Sequence, residues 1–106
     1  EVRAAERERY HAVLLDEYQD TGHAQVELLH GLFGAGHPVT AVGDPLQSIY
    51  GWRGASAGNI EAFDRRFVRA DGQPATVYPL ATSFRNDALI LDAANAVDQY
   101  ALLVRY

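Results

Sequence analysis

The chain has 106 residues, of which 48% are apolar and 22% are charged, a composition typical of a folded protein and not of a disordered segment. Its net charge of −5 has the wrong sign for general attraction to phosphate, so any contact with nucleic acid has to be local. The absence of cysteine excludes disulfides and thiolate metal sites, leaving oxygen or histidine ligands and favouring a hard ion such as Mg²⁺.

Two further residue types are absent, and each absence has a consequence. All nine basic residues are arginine, and a phosphate-binding P-loop needs a lysine, so this chain contains no P-loop. There is no methionine, and the chain starts with EVRAAERER, so we expect a piece of a longer protein. Because the sequence shows no bilayer-spanning apolar run and no signal-peptide pattern, we also expect a soluble, cytoplasmic protein without a membrane partner.

The first elements in chain order are a helix, a strand and a second helix. Residues 1–10 are rich in Glu and Arg and predict a solvated helix. Ala12 to Leu15 form a continuous apolar run, which is typical of a strand buried on both faces of a parallel sheet. Asp20 and Thr21 offer an N-cap for a helix with an apolar face made by Val26, Leu29, Leu32 and Phe33.

A second strand completes a βαβ unit. Gly34 and Gly36 end the helix, and the apolar run VTAV (39–42) follows them. Two buried strands separated by one helix are expected to pair in parallel.

The rest of the chain continues the alternation. Another helix face carries Ile60, Phe63 and Phe67, and TVYPL (76–80) is a third candidate strand, which Pro79 restricts to an edge or an end. Asn86 or Asp87 caps a last helix, predicted to turn Ile90, Ala94 and Val97 inward. The predicted order β-α-β-α-β-α places the chain in the α/β class, with a parallel sheet and flanking helices.

Polar clusters follow each predicted strand. Asp16 and Glu17 come after the first strand, Gly43 and Asp44 after the second, and residues 83–85 after the third. Because ligands of open parallel sheets bind beyond the carboxyl ends of the strands, the three clusters are expected to converge on one edge.

The first and third clusters suit phosphoryl transfer. Asp16 is placed to hold Mg²⁺ and Glu17 to orient or deprotonate a water molecule, and Arg85 has the planar fork that binds phosphate oxygens. The alternatives are that the two acidic residues only solvate a strand end and that Arg85 is an ordinary surface charge.

The second cluster opens the unusual segment VGDPLQSIYGWRGA (42–55). Gln47 has both a donor and an acceptor for a phosphate oxygen and a water, and Arg53 can pair with phosphate or carboxylate. Tyr50 and Trp52 offer ring faces for stacking on bases. The alternative is an aromatic hairpin in the core, which we favour for Tyr50, whereas Trp52 is the candidate for DNA.

Together these clusters resemble the UvrD/Rep/PcrA-like family of superfamily 1 DNA helicases. LLDEYQDT (14–21) is similar to its motif II, the Walker B motif; VGDPLQSIYGWRGA to motif III; and LATSFRN (80–86) to motif IV. The richness in Ala and Arg without lysine resembles actinobacterial members. The resemblance implies that residues 1–106 form the C-terminal part of the first RecA-like domain, the ATP-binding domain, without its P-loop.

The resemblance also implies an enzyme, an ATP-dependent motor that translocates on single-stranded DNA and unwinds duplexes, usually 3′ to 5′, in DNA repair or recombination. Its cofactors would be ATP and Mg²⁺, and its partners would be DNA and the rest of the helicase chain, with the P-loop and the second RecA-like domain.

Residue roles follow from the same resemblance. Asp16 would bind Mg²⁺ and Glu17 would activate water. Gln19 and Gln47 would sense the γ-phosphate, Arg85 would be the arginine finger, Trp52 would stack on a base, and Arg53 would link that contact to the ATP site.

Phe84 stands where motif IV of the family commonly has Tyr, so a ring for stacking is kept and the hydroxyl is lost. Pro45 and Leu46 stand where the family often has acidic or polar residues after Gly-Asp.

Because it lacks the P-loop, the isolated chain is predicted to be inactive. Two other functions stay open: a non-catalytic DNA-binding helicase-like subunit, and a metal-dependent nuclease that uses Asp16, Glu17 and Asp44.

Overall fold

A computed structural model describes the backbone of residues 1–104 and the side chains of residues 1–98. The helices are α1 (Val2–Arg9), α2 (His23–Phe33), α3 (Gly58–Glu61), α4 (Phe63–Arg66) and α5 (Ala88–Val104), and the strands are β1 (Val13–Leu15) and β2 (Val39–Ala41). Single 3₁₀ turns occupy Tyr18–Asp20, Pro45–Gln47 and Gly51–Arg53. The α/β class is therefore confirmed, with two strands in the described part of the chain.

The βαβ unit forms as predicted. β1 and β2 pair in parallel, with Val13 opposite Val39 and Leu15 opposite Ala41. The helix α2 connects them, and it buries Val26 and Phe33 while ending at Gly34. Parallel pairing brings the carboxyl ends of both strands to one edge, which positions the first two polar clusters side by side.

The core lies on one side of this small sheet. Tyr18, Val26 and Phe67 form its buried centre, and Leu29, Ile60 and Phe63 are among the partly buried side chains around them. Phe63 stacks on Phe67 with ring centroids 4.7 Å apart, and Tyr18 meets both rings edge-on. The face predicted from Ile60, Phe63 and Phe67 is confirmed, although two short helices carry it. We call residues 13–68 the βαβ body.

Two predictions for the body were wrong in detail. The first strand is not buried on both faces, because Leu14 is 82% exposed on the side of the sheet away from the core. The N-cap of α2 is Gly22, whose N–H donates to Oε1 of Gln25, and Asp20 and Thr21 belong to the preceding turn and its end. The Gln25 side chain reaches back to the helix start and replaces the expected cap.

The third strand is absent. Residues 76–80 are extended but join no sheet, and Val77, Tyr78 and Leu80 are 73–87% exposed. An apolar run becomes a strand only where a neighbour accepts and donates its backbone hydrogen bonds, and none of the described residues does so here. An open groove of about 1140 Å³ separates this segment from β2.

The last helix forms with its predicted cap but not with its predicted packing. The Asp87 carboxylate accepts the N–H of Leu89 at 2.9 Å. Ile90, Ala94 and Val97 are exposed instead of buried, because within the described residues no other element packs extensively against α5. No helix in the described part of the chain is long and apolar enough to cross a membrane. We call residues 75–98 the C-terminal segment.

Candidate functional site

The acidic pair lies immediately beyond β1. Both Asp16 and Glu17 are exposed, and Oδ1 of Asp16 accepts the N–H of Glu17 at 2.9 Å. Glu17 adopts the left-handed backbone conformation, with φ 49° and ψ 42°, which is costly for a residue with a Cβ. This residue also precedes the 3₁₀ turn that buries Tyr18.

The second polar cluster lies beyond β2 and is organised by Asp44. One oxygen of its carboxylate accepts the N–H of Leu46 at 2.9 Å, and the other accepts Nε2 of Gln47 at 2.8 Å. Pro45 begins the 3₁₀ turn, a position where its missing N–H costs nothing. Asp44 therefore caps the turn and orients the exposed amide of Gln47.

Gln19 joins the two clusters. Its side chain is fully buried, and its Nε2 donates to Oε2 of Glu17 at 2.7 Å while its Oε1 accepts the N–H of Asp44 at 3.1 Å. The backbone adds Tyr18 N–H to the carbonyl of Val42 at 3.0 Å. The resemblance assigns Gln19 to the γ-phosphate, but here both ends of its amide are engaged by protein groups.

Tyr18, which lies between Glu17 and Gln19 in the chain, anchors this part of the site in the core. Its ring fills the core, and its hydroxyl is buried without a hydrogen-bond partner among the described residues. Burial raises the pKa of this phenol, and the nearby Arg66 guanidinium acts in the opposite direction. The buried amide of Gln19 thus follows directly in the chain on an aromatic ring of the apolar core.

An exposed aromatic surface lies further along the same segment, and it consists of Tyr50, Trp52 and Arg53. The guanidinium of Arg53 lies 4.4 Å from the Trp52 ring and 5.1 Å from the Tyr50 ring. Trp52 is 75% exposed and Tyr50 36% exposed, so the expectation that Tyr50 packs in the core was wrong. The 3₁₀ turn at Gly51–Arg53 has no buried residue, and both rings pack on the guanidinium of Arg53.

Hydrogen bonds connect residues 48–59 to the residues just before α2. Nδ2 of Asn59 donates to the carbonyl of Thr21 at 2.7 Å, and Ala55 forms an antiparallel bridge with Gly22. Oγ of Ser48 donates to the carbonyl of Gln19 at 3.2 Å. Neither Ser48 nor Asn59 was predicted from the sequence, because a polar residue in a polar loop gives no periodic signal.

The third cluster does not join the other two. The groove beside β2 is lined by Asp16, Glu17, Asp44 and Gln47, but its lining ends at Leu80 and does not reach residues 83–85. Phe84 is 95% exposed, and Arg85 is exposed as well. Convergence is therefore confirmed for two clusters only, since the strand that was expected to carry the third one does not form.

The donor set fits a magnesium ion that is shared with a ligand. Asp16 is an exposed carboxylate at a strand end, and Mg²⁺ usually takes one or two protein carboxylates and completes its shell with water and phosphate oxygens. Among the described residues no three acidic or histidine side chains are grouped so that they could hold a metal alone. Asp16, Glu17 and Asp44, the residues of the nuclease alternative, are therefore not grouped in this structure, where the Asp44 carboxylate caps its own turn.

Comparison with known proteins agrees with the motifs. The family model described as the UvrD/REP helicase N-terminal domain matches residues 1–68. The chain is 42% identical over 91 residues to proteins named DNA helicase II from Rickettsia typhi and Escherichia coli, which covers 86% of the chain. It is 40% identical over 97 residues, 92% of the chain, to the ATP-dependent DNA helicase PcrA of Leuconostoc citreum. The chain spans 12–13% of the length of these relatives.

Proposed function

The chain belongs to the UvrD/REP helicase family, and from that premise we propose that it is part of the ATP-driven motor of a DNA helicase. Residues 1–106 would be the C-terminal part of a RecA-like ATP-binding domain. The observation that carries the proposal is the hydrogen-bonded connection between the acidic pair beyond β1 and the Asp44–Gln47 turn beyond β2. This connection joins the groups that suit phosphate chemistry to the segment that carries the aromatic surface.

The acidic pair would divide the work of hydrolysis. Asp16, with an exposed carboxylate, would take one position in the shell of Mg²⁺, which neutralises charge on the phosphates of ATP. Glu17 would accept a proton from the attacking water or orient it. Gln47, held by Asp44, would donate to a phosphate oxygen, and Arg85 with Phe84 beside it would approach as an arginine finger only after a rearrangement of the C-terminal segment.

The aromatic surface would hold single-stranded DNA. Trp52 is the most exposed of its rings, and stacking on a base is worth about 1–3 kcal/mol whatever the base. Arg53 packs against both rings and would transmit their position to the turn at Gln47.

Translocation from 3′ to 5′ and a role in repair or recombination are parts of this proposal that rest on family resemblance alone. Unwinding of duplexes with a 3′ tail but not of those with a 5′ tail would test the direction.

The central test is Glu17→Gln in the complete helicase that contains this chain. Turnover of ATP should be abolished apart from a residual rate that is measurable only over hours, while ATP binding, measured with a fluorescent analogue, stays close to that of the wild type. The matched control is Glu8→Gln, which makes the same chemical change on the exposed surface of α1. Undiminished turnover in Glu17→Gln would refute the role of Glu17 and with it the proposed motor site.

A second test concerns the chain alone. Because it contains no lysine, it cannot supply the P-loop contact to the phosphates, and the purified 106-residue chain should hydrolyse no ATP. Steady, Mg²⁺-dependent turnover by this chain would contradict the proposal that the catalytic site needs residues from elsewhere.

A third test concerns DNA. Trp52→Ala in the complete helicase should reduce DNA-stimulated ATP turnover more than basal turnover, because the ring is exposed and contributes little to the fold. Leu46→Ala removes another exposed apolar side chain of the same segment and serves as the control. Equal losses of basal and stimulated turnover in Trp52→Ala would assign Trp52 a structural role.

A further inference from the structure

Gln19 stands out because its side chain is polar and yet fully buried. It is the one polar side chain in the core of the described residues, at 0% exposure. An unpaired buried amide costs about 1–3 kcal/mol, so a residue of this kind is retained only where its hydrogen bonds are made. A leucine or methionine would fill the same space without that risk.

The two partners of Gln19 fix the orientation of its amide. A carboxylate can only accept and a backbone N–H can only donate, so Nε2 has to face Glu17 and Oε1 has to face Asp44. Turning the amide over would break both hydrogen bonds at once. The side chain is therefore a bridge of defined length between the first cluster and the second.

The chain leaves little free space around this bridge. A Cβ on Gly43 would lie 2.6 Å from Oε1 of Gln19 and 3.2 Å from its backbone nitrogen. The backbone beyond β2 therefore passes directly against Gln19. A shift of the Asp44 turn towards β1 has to displace the Gln19 side chain.

The Glu17 carboxylate would be poorly fixed without the hydrogen bond from Gln19. Its backbone is in the left-handed region and its side chain is exposed, a combination that by itself leaves a flexible carboxylate on a strained residue. The hydrogen bond from Gln19 at 2.7 Å restricts the carboxylate to one place. Because the side chain is fully buried, Gln19 cannot contact a nucleotide unless the residues that cover it move.

We propose that Gln19 is a positioning residue, which holds the Glu17 carboxylate at a fixed place relative to the Asp44–Gln47 turn and passes movements of that turn to Glu17. This inference rests on the proposed function, since the role of Glu17 in hydrolysis is itself proposed. It differs from a phosphate contact, because Gln19 acts through Glu17 and touches neither nucleotide nor DNA.

The test uses two substitutions in the complete helicase. Gln19→Met keeps the length of the side chain and removes both hydrogen bonds. Gln19→Glu keeps an acceptor for the Asp44 N–H but sets a carboxylate against that of Glu17. Both should lower kcat for ATP about 10- to 100-fold, as the loss of a residue that orients a reacting group does, with KM for ATP changed less than about threefold.

A double-mutant cycle separates positioning from support of the fold. In a Glu17→Gln background, whose residual turnover is followed over hours, Gln19→Met should cause no further loss, because the carboxylate that it positions is gone. The control is Val26→Ala, a buried change in the same core, which lowers stability but should leave kcat per folded molecule unchanged in both backgrounds.

Each outcome decides between the two proposals. If Glu17→Gln abolishes turnover and Gln19→Met keeps full kcat, or if the losses multiply in the cycle, the positioning role is overturned and the proposed function stands. If Glu17→Gln retains full turnover, both are overturned. If Gln19→Met does not fold, Gln19→Glu supplies the same comparison, because it preserves the hydrogen bond that anchors the Asp44 turn.

Discussion

The C-terminal segment has a higher fraction of apolar residues than the βαβ body, but the buried apolar side chains of the described residues all lie in the body. Phe67 in the body is 4% exposed and packs against three aromatic rings, whereas Phe84 in the C-terminal segment is 95% exposed. Val26 is fully buried, whereas Val77 is 73% exposed. Burial is therefore decided by the presence of a partner element and not by the hydrophobicity of the residue, and stability should be concentrated in the body.

The largest expected difference between the two regions comes from their phenylalanines. Phe67→Ala should lower the free energy of unfolding by about 3–5 kcal/mol, since it removes a buried ring and leaves a cavity between Phe63 and Tyr18. Phe84→Ala, the same change at an exposed site, should alter it by less than about 0.5 kcal/mol. Urea unfolding of the chain followed by circular dichroism measures both, and similar losses would show that the C-terminal segment is packed in solution.

The body was predictable from the sequence because its signals are local. The apolar runs at residues 12–15 and 39–42 are separated by one helix, so the pattern itself contains both partners of the sheet. The fate of residues 76–80 was not predictable in this way, because an apolar run does not show whether a neighbouring strand is available to pair with it. In the same way the exposure of Leu14 depends on which elements cover the second face of the sheet.

The sequence predicted which residues of the site lie at one edge of the sheet, but it did not predict which contacts their side chains make. The acidic pair and the Asp44 turn were expected at one edge, and the parallel strands bring them there. The bridge by Gln19 was not expected, because an amide within the polar string DEYQD gives no sign that it turns inward. The position of Tyr50 was missed for the opposite reason, since an aromatic ring favours burial unless a cation such as Arg53 offers it a surface partner.

The next difference concerns two glycines of the body, one packed closely against other atoms and one facing open space. Gly43→Ala should lower the free energy of unfolding by about 1–3 kcal/mol, because the new methyl group meets Gln19 and also lies 3.3 Å from Cδ1 of Ile60. A Cβ on Gly51 would meet no heavy atom within 4 Å, so Gly51→Ala should be neutral or stabilise by up to about 1 kcal/mol. Equal effects in thermal unfolding would mean that the two ends of the strands are not held together.

A smaller effect should appear at alkaline pH. The pKa of Tyr18 is raised by burial, so above about pH 10 the unfolded chain loses this proton before the folded chain does, and the free energy of unfolding falls as pH rises. Tyr18→Phe should remove this part of the alkaline loss and cost little near neutral pH, because the hydroxyl has no partner among the described residues. Tyr78→Phe, in the C-terminal segment, should leave the alkaline loss unchanged, and urea midpoints at about pH 7 and about pH 10.5 make the comparison. The same alkaline loss in Tyr18→Phe as in the wild type would assign it to other groups.

The smallest effect should come from the ion pair between Glu27 on α2 and Arg66 on α4, which joins two helices of the body. The hydrogen bond from Arg66 holds the pKa of Glu27 below its usual range, so the pair contributes stability above about pH 4.3 and loses it as pH falls through the lower value of the folded state. Glu27→Gln should therefore lower the urea midpoint slightly at about pH 7 and approach the wild type at about pH 2.5, as protonation of the carboxylate removes the ion pair. Asp92→Asn on α5 makes the same change in the C-terminal segment and should have no effect at either pH. A deficit in Glu27→Gln that persists at acid pH would come from packing of the side chain and not from its charge, because protonation has already removed the ion pair from the wild type.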